Sequence, residues 1–220
     1  MRHGATLALA AWCWMASPVG PGPAWAVPDD GPAPTPAWSL PDASRGHRVA
    51  PILLLSRPEI QAELRLKPDQ AAAAARVIAD ARRKAAQLKG RTDQAAVELR
   101  RGVDEEQRAW LETKLTEDQV GRLGEIDLQW EGPAALADRP ALAESLSLSA
   151  DQKAAVARAF DDLKKHRARG ADHERDPVAV ERHFAQQVYA TLTDGQRKRW
   201  EKMLGHPLAV MAAAPAPPAR

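Results

Sequence analysis

The feature that most constrains this chain is that it repeats itself. Residues 57–76 align with residues 139–158 at an offset of 82, giving 10 identities in 20 positions without a gap. Arg57-Pro58 matches Arg139-Pro140, Leu64-x-Leu66 matches Leu146-x-Leu148, and Asp69-Gln70 matches Asp151-Gln152. A second block, Leu115-Thr116-Glu117-Asp118-Gln119, matches Leu192-Thr193-Asp194-Gly195-Gln196 at an offset of 77. The five-residue difference falls between the blocks, where a hairpin tip can absorb it. A period near 80 residues is too long for a solenoid module, so the pattern implies a single duplication.

Each copy reads as helix. After Pro68, apolar side chains fall at Ala71, Ala74, Ile78, Ala81, Ala85 and Leu88, the spacing of one helix face. Lys89-Gly90 interrupts the pattern, and Ala96, Leu99, Val103 and Trp110 form a returning face. The second copy places Val156, Phe160 and Leu163 before Gly170, then Val180, Phe184 and Val188 after Pro177. Two antiparallel helices of about 20 residues, each about 30 Å long, are the simplest reading of each copy. Alternating β-branched runs and Asn-Gly or Asp-Gly hairpin turns are missing. The expected fold is all-α, with two tandem hairpin units, 49–131 and 132–206, packed as an internal pseudo-dimer in a monomer.

One motif recurs at equivalent points: Leu66–Gln70, Leu115–Gln119, Leu148–Gln152 and Leu192–Gln196. Its local physics is helix capping. A Ser or Thr accepts a bond from the third helical amide, and a Gln three residues later accepts one from the cap's own amide. Thr116, Ser149 and Thr193 fit that role. Lys67 does not, although Pro68 then takes the favoured first helical position.

Leu-Thr-x-x-Gln, doubled around a helical hairpin behind a signal peptide, resembles the LTxxQ family of bacterial periplasmic proteins, which includes Spy/CpxP-like and zinc-resistance-associated members. Leu115–Gln119 and Leu192–Gln196 match the motif directly, Leu148–Gln152 is a conservative variant, and Leu66–Gln70 is degenerate. The segment Ile126-Asp127-Leu128-Gln129-Trp130-Glu131-Gly132-Pro133 is also similar to duplicated exported proteins of planctomycete-type bacteria. The resemblance implies an ATP-independent chaperone or envelope-stress modulator whose partners are unfolded or partly folded envelope proteins. Family members carry one unit per chain and form cradle-shaped dimers, whereas this chain carries two units.

The ends read differently from the body. Met1-Arg2-His3, the apolar run from Ala5 to Ala16 and Ala24-Trp25-Ala26 have the layout of a secretory signal peptide, residues 1–26, cleaved between Ala26 and Val27. The expected location is therefore the periplasm or the exterior. Cys13, the only cysteine, leaves with that segment, and bulky Trp12 before it disfavours lipoprotein processing. Loss of Arg2 takes the net charge from +2 to +1, a poor basis for sequence-independent nucleic-acid binding. No remaining apolar stretch is long enough to span a bilayer. Residues 27–48, a Pro-rich linker, and the Ala/Pro-rich tail 207–220 bury too little apolar surface to offset chain entropy, and disorder is expected in both.

Other chemistry is sparse. Gly-x-Ser-x-Gly, His-Glu-x-x-His and phosphate-cradling glycine loops do not occur, so neither an enzyme nor a cofactor is expected. His166, His173 and His183 surround the second hairpin tip with Asp172, Glu174 and Asp176, a donor set that a metal ion could use. A solvated charged tip is the simpler reading, because no i, i+4 pair fixes two histidines on one face. They keep open a second function, a zinc-responsive sensor or buffer. A third is a structural interaction module of the envelope. Arg82-Arg83-Lys84 aligns with Lys164-Lys165-His166. These basic residues either complement helix C-termini or form patches that meet anionic client segments.

Overall fold

Proline and short polar side chains set where the helices begin. The computed structural model describes residues 38–168 and 177–208, all within one compact unit, and no strand occurs among them. Helices α1 (Pro51–Leu54), α2 (Pro58–Glu63), α3 (Pro68–Gln87), α4 (Gln94–Lys114) and α5 (Glu117–Glu131) build the first copy. Helices α6 (Ala135–Asp138), α7 (Pro140–Ser145), α8 (Ala150–Ala168), α9 (Pro177–Thr191) and α10 (Asp194–Leu204) build the second. Pro51, Pro58, Pro68, Pro140 and Pro177 each open a helix, where the missing N–H costs nothing. The signal peptide, its Ala26-Val27 cleavage point, Cys13, His173 and the second hairpin tip lie outside the described residues.

The long helices bury the middle of the faces that the spacing indicates, while Ala85 of the expected α3 face is exposed and Ala71 and Leu88 are half-buried. Ala74, Ile78 and Ala81 are the buried residues of α3, and Val156, Phe160 and Leu163 those of α8, the same positions at an offset of 82. Each small residue of the first copy therefore has a larger counterpart in the second. Phe160 meets Phe184 of α9 with ring centroids 6.1 Å apart, a separation typical of tilted aromatic pairs. Two apolar clusters result. One gathers Ile52, Ile60, Ile78, Ile126 and Trp130, and the other Leu146, Val156, Leu163, Val188 and Trp200.

A two-helix unit is too small a description. Each hairpin is followed by a third helix, α5 or α10, that starts at the second motif of its unit and buries a tryptophan, Trp130 or Trp200. Two short helices also precede each hairpin.

The expected boundaries of disorder shift as well. Leu40 and Leu208, placed by composition in the linker and the tail, are buried in the first apolar cluster. The Leu40 amide donates to Ser56 Oγ at 2.9 Å, and Trp130 Nε1 donates to the Ser44 carbonyl at 3.0 Å. At the other end, Gln129 Nε2 donates to the carbonyls of Leu204 and His206 at 2.6 and 2.8 Å, while its Oε1 accepts the Leu208 amide at 2.9 Å. Isolated apolar residues in proline-rich surroundings vanish in a compositional average, yet one well-placed leucine anchors a segment.

A paired-glutamine staple and the adjoining clefts

The recurrent motif closes into full capping boxes at three of its four sites. Thr193 N–H donates to Gln196 Oε1 at 2.9 Å, and Gln196 N–H returns to Thr193 Oγ1 at 3.3 Å. Thr116 with Gln119 (3.0 and 3.3 Å) and Ser149 with Gln152 (3.0 and 3.2 Å) repeat the geometry. At the fourth site only half the box forms: Lys67 N–H donates to Gln70 Oε1 at 2.9 Å. A lysine side chain has no acceptor with which to answer.

Capping uses only the carbonyl oxygen of each glutamine. The amide nitrogens point at each other's motif. Gln70 Nε2 donates to Gln119 Oε1 at 3.1 Å and to the Lys114 carbonyl at 2.7 Å, and Gln119 Nε2 donates to the Leu64 carbonyl at 3.0 Å. In the second unit Gln152 Nε2 donates to Gln196 Oε1 and to the Thr191 carbonyl, both at 2.8 Å. Gln196 Nε2 donates to Gln152 Oε1 at 3.0 Å, to the Ser147 carbonyl at 3.3 Å and to the Leu146 carbonyl at 3.4 Å. Leu64 and Leu146 correspond at an offset of 82, and Lys114 and Thr191 at 77. The carbonyls engaged sit at helix ends, where backbone acceptors lack helical partners. Each glutamine thus starts its own helix and ties off the end of another. Leu115, Leu148 and Leu192, which lead three of the motifs, are buried, and Leu66 packs against the first cluster.

The turn before each unit's first motif is also duplicated. Arg65 (φ 49°) and Ser147 (φ 55°) are the two non-glycine residues with positive φ among those described. The Leu66 amide reaches back to the Gln61 carbonyl at 3.0 Å and the Arg65 amide to Ala62 at 3.0 Å; Leu148 to Ala143 and Ser147 to Glu144 do the same at 2.9 and 2.8 Å. This is the Schellman termination. It turns the chain so that the motif leucine faces inward one residue later.

Each hairpin leaves a cleft between its long helices. The first, of about 230 Å³, lies between α3 and α4; Leu53, Ala81, Ala85, Leu88 and Val103 form its apolar wall, with Arg82, Arg100, Asp104 and Gln107 around it. The second, of about 350 Å³, lies between α8 and α9 and includes Asp162, His166, His183 and Phe184. His166 and His183 therefore share one cleft. Among the described residues no three His, Cys, Asp or Glu side chains come close enough to hold a metal ion.

The five basic side chains already have intramolecular partners. Arg82 lies 4.3 Å from the Trp38 ring centroid, Arg83 pairs with Asp80, and Lys84 pairs with Asp80 and, across the hairpin at 2.5 Å, with Glu106. Lys164 pairs with Asp161 and covers Phe160, and Lys165 pairs with Asp162. Four of the five are paired with carboxylates, whereas Arg82 keeps its charge over the Trp38 ring.

Sequence reasoning missed a buried ionic group between the units. Arg139, preceding α7, donates to Asp127 Oδ2 at 2.7 Å and to Glu131 Oε2 at 2.6 Å. Asp127 and Glu131 are buried on α5, and Asp127 Oδ1 and Glu131 Oε1 have no hydrogen-bond partner among the described residues. Burial raises the Glu131 pKa above the ordinary carboxylate value, with Arg139 opposing the rise. The signal was present: both acids sit on the α5 face otherwise made of Leu123, Ile126 and Trp130, and Arg139 belongs to the repeated Arg-Pro pair. Its counterpart Arg57 instead binds the Leu40 carbonyl at 2.9 Å and Asp42 at 2.7 Å, 5.3 Å from the Trp130 ring centroid.

No family model, curated protein or solved structure matches this chain.

Proposed function

We propose that this chain is an exported, non-enzymatic helical binding protein of the LTxxQ kind, acting as an ATP-independent holdase or envelope-stress modulator. Its two hairpin units act as an internal pseudo-dimer in a monomer. Its clients are partly folded envelope proteins, bound weakly and released without a nucleotide cycle. The observation that carries this reading is the open, apolar-walled cleft between α3 and α4. Large exposed apolar side chains are limited to Val97, Val120 and Val178 among the described residues, so binding is assigned to the clefts rather than to a broad apolar face. The glutamine staples supply a rigid base from which the long hairpins project.

The test is a light-scattering assay of a denatured client diluted with and without the mature chain. The reading expects suppression near stoichiometric ratios, weakened by Ala81→Trp, which fills the cleft. Unchanged scattering at every ratio would leave an envelope interaction module as the simpler account. The shared placement of His166 and His183 in the α8–α9 cleft favours one second reading, zinc response. Calorimetry with zinc alone tests it, and the absence of a saturable heat removes it.

A further inference from the structure

The duplication supplies an internal template for the first cleft. By the two offsets, Ala85 corresponds to Arg167, Asp104 to Glu181, Gln107 to Phe184 and Arg100 to Pro177. In the second unit Arg167 crosses from α8 to α9, where its Nε donates to Glu181 Oε1 at 2.8 Å, and its Nη2 donates to the Gly46 carbonyl at 3.2 Å. The equivalent place in the first unit has no such side chain, because Ala85 ends at Cβ. What remains is an acid and an amide facing an apolar wall. The Asp104 side chain makes no hydrogen bond or ion pair with any described residue. Gln107 is only 9% exposed, lines the cleft, and likewise has no side-chain hydrogen bond among the described residues. Its amide atoms are still reached by solvent in the cleft, so a guest would meet them in exchange for water. In the second unit, where Arg167 fills the equivalent place, that position is a phenylalanine.

We propose that the α3–α4 cleft receives an arginine side chain from a partner polypeptide, with its stem on Ala81, Ala85, Leu88 and Val103 and its guanidinium between the Asp104 carboxylate and the Gln107 amide oxygen. The planar fork of five N–H donors can serve both acceptors at once, which a lysine ammonium on a narrower point of charge does less well. Arg82 at the rim does not compete, since it is committed to Trp38. Arg82 and Arg100 are the two like charges around the guest; Arg82 is held over the Trp38 ring, and the counterpart of Arg100 in the filled copy is the uncharged Pro177. The inference rests on the reading of this cleft as a binding site, and not on holdase activity.

The experiment is an amide chemical-shift titration of the full mature chain with an acetylated Ala-Ala-Arg-Ala-Ala peptide amide and its citrulline counterpart, which keeps the shape and removes the charge. Saturable shifts confined to residues 81–88 and 100–107 are expected. The citrulline peptide and the Asp104→Asn variant should each bind about threefold or more weakly, the scale of an exposed ion pair. Arg100→Gln should tighten binding by a similar factor. Ala85→Arg builds into the first unit the bridge seen in the second, so it should abolish binding while the melting temperature holds or rises. Equal binding of both peptides, or wild-type binding by a folded Ala85→Arg chain, overturns the proposal. If Ala85→Arg fails to fold, the solvent-exposed Asp104→Asn change decides in its place. Arginine binding without suppression of aggregation would retire the holdase reading alone; suppression without arginine binding would retire this inference alone.

Discussion

At the scale of single residues, the motif asks for glutamine rather than glutamate, and the structure explains why. A capping box accepts either. Only glutamine also carries the N–H donors that reach Leu146, Ser147 and Gln152 from position 196. Gln196→Glu is therefore expected to destabilise the fold by about 2 kcal/mol, the cost of burying acceptors against acceptors. Denaturant unfolding at neutral pH measures it, and an unchanged midpoint would reduce the motif to a simple cap. The buried acid gives a pH signature of opposite sign to most carboxylates. Because the folded state raises the Glu131 pKa by burial against the pull of Arg139, the native chain holds its proton longer than the unfolded chain does. Its stabilising contribution is complete below the unfolded value, near pH 4.3, and is lost as pH rises through the folded value. Glu131→Gln should flatten that decline in unfolding free energy. Asp93, at the start of α4, is pulled down to about 2, first by the Arg91 side chain and then by the Ala96 amide. Its contribution is present above the unfolded value and fades only at lower pH, so the two windows separate. The capping role of each Gln was legible in the sequence because the box is local. The pairing was not, because Gln152 and Gln196 are 44 residues apart and the cap alone accounts for each.

At the scale of elements, the positions of the long helices followed from the apolar spacing, since the burial of Ala74, Ile78, Ala81, Val156, Phe160 and Leu163 reflects a 3.6-residue period that side-chain chemistry displays directly. The short helices did not, because four to six residues are too few to establish a period. Helix ends offer two checks. Thr193→Ala removes the acceptor for the Gln196 amide and is expected to cost about 1 kcal/mol; on the proposed function, client binding should weaken only as far as stability falls. At the other end of α10, Gly205 has φ 64°, and a Cβ there would collide with the Glu125 carboxylate. Gly205→Ala should therefore cost more than the removal of the cap, since backbone strain adds to the displacement of Glu125. Thermal melts of the two variants side by side test the order, and a smaller loss for Gly205→Ala would show that α10 does not hold its carboxyl end against α5.

At the scale of the molecule, the duplication was legible at once, but the way its ends cross was not. Residues 38–48 run from the first apolar cluster to Arg167 of the second unit, and residues 205–208 return from α10 to α5. Arg122 Nη1 donates to the His206 carbonyl at 2.8 Å, and His206 Nε2 lies 2.7 Å from Glu63 Oε1. Composition predicted disorder in both segments because three apolar anchors, Trp38, Leu40 and Leu208, are diluted by proline and alanine. These crossings add to the packing of α5 on α10 and to the Arg139 ionic group, which also join the two copies. They also make the first unit incomplete alone, since Leu208 belongs to its core. On the proposed internal pseudo-dimer, a second chain need not supply the covering face, which would spare the association entropy of a dimer. The most direct measurement is urea unfolding of the mature chain beside the isolated fragment 49–131, with sedimentation to establish mass. This account predicts a monomeric mature chain that unfolds in one cooperative step and a fragment that self-associates or lacks a cooperative transition. A fragment that is a stable, cooperatively unfolding monomer, or a mature chain that sediments only as a dimer, would contradict it.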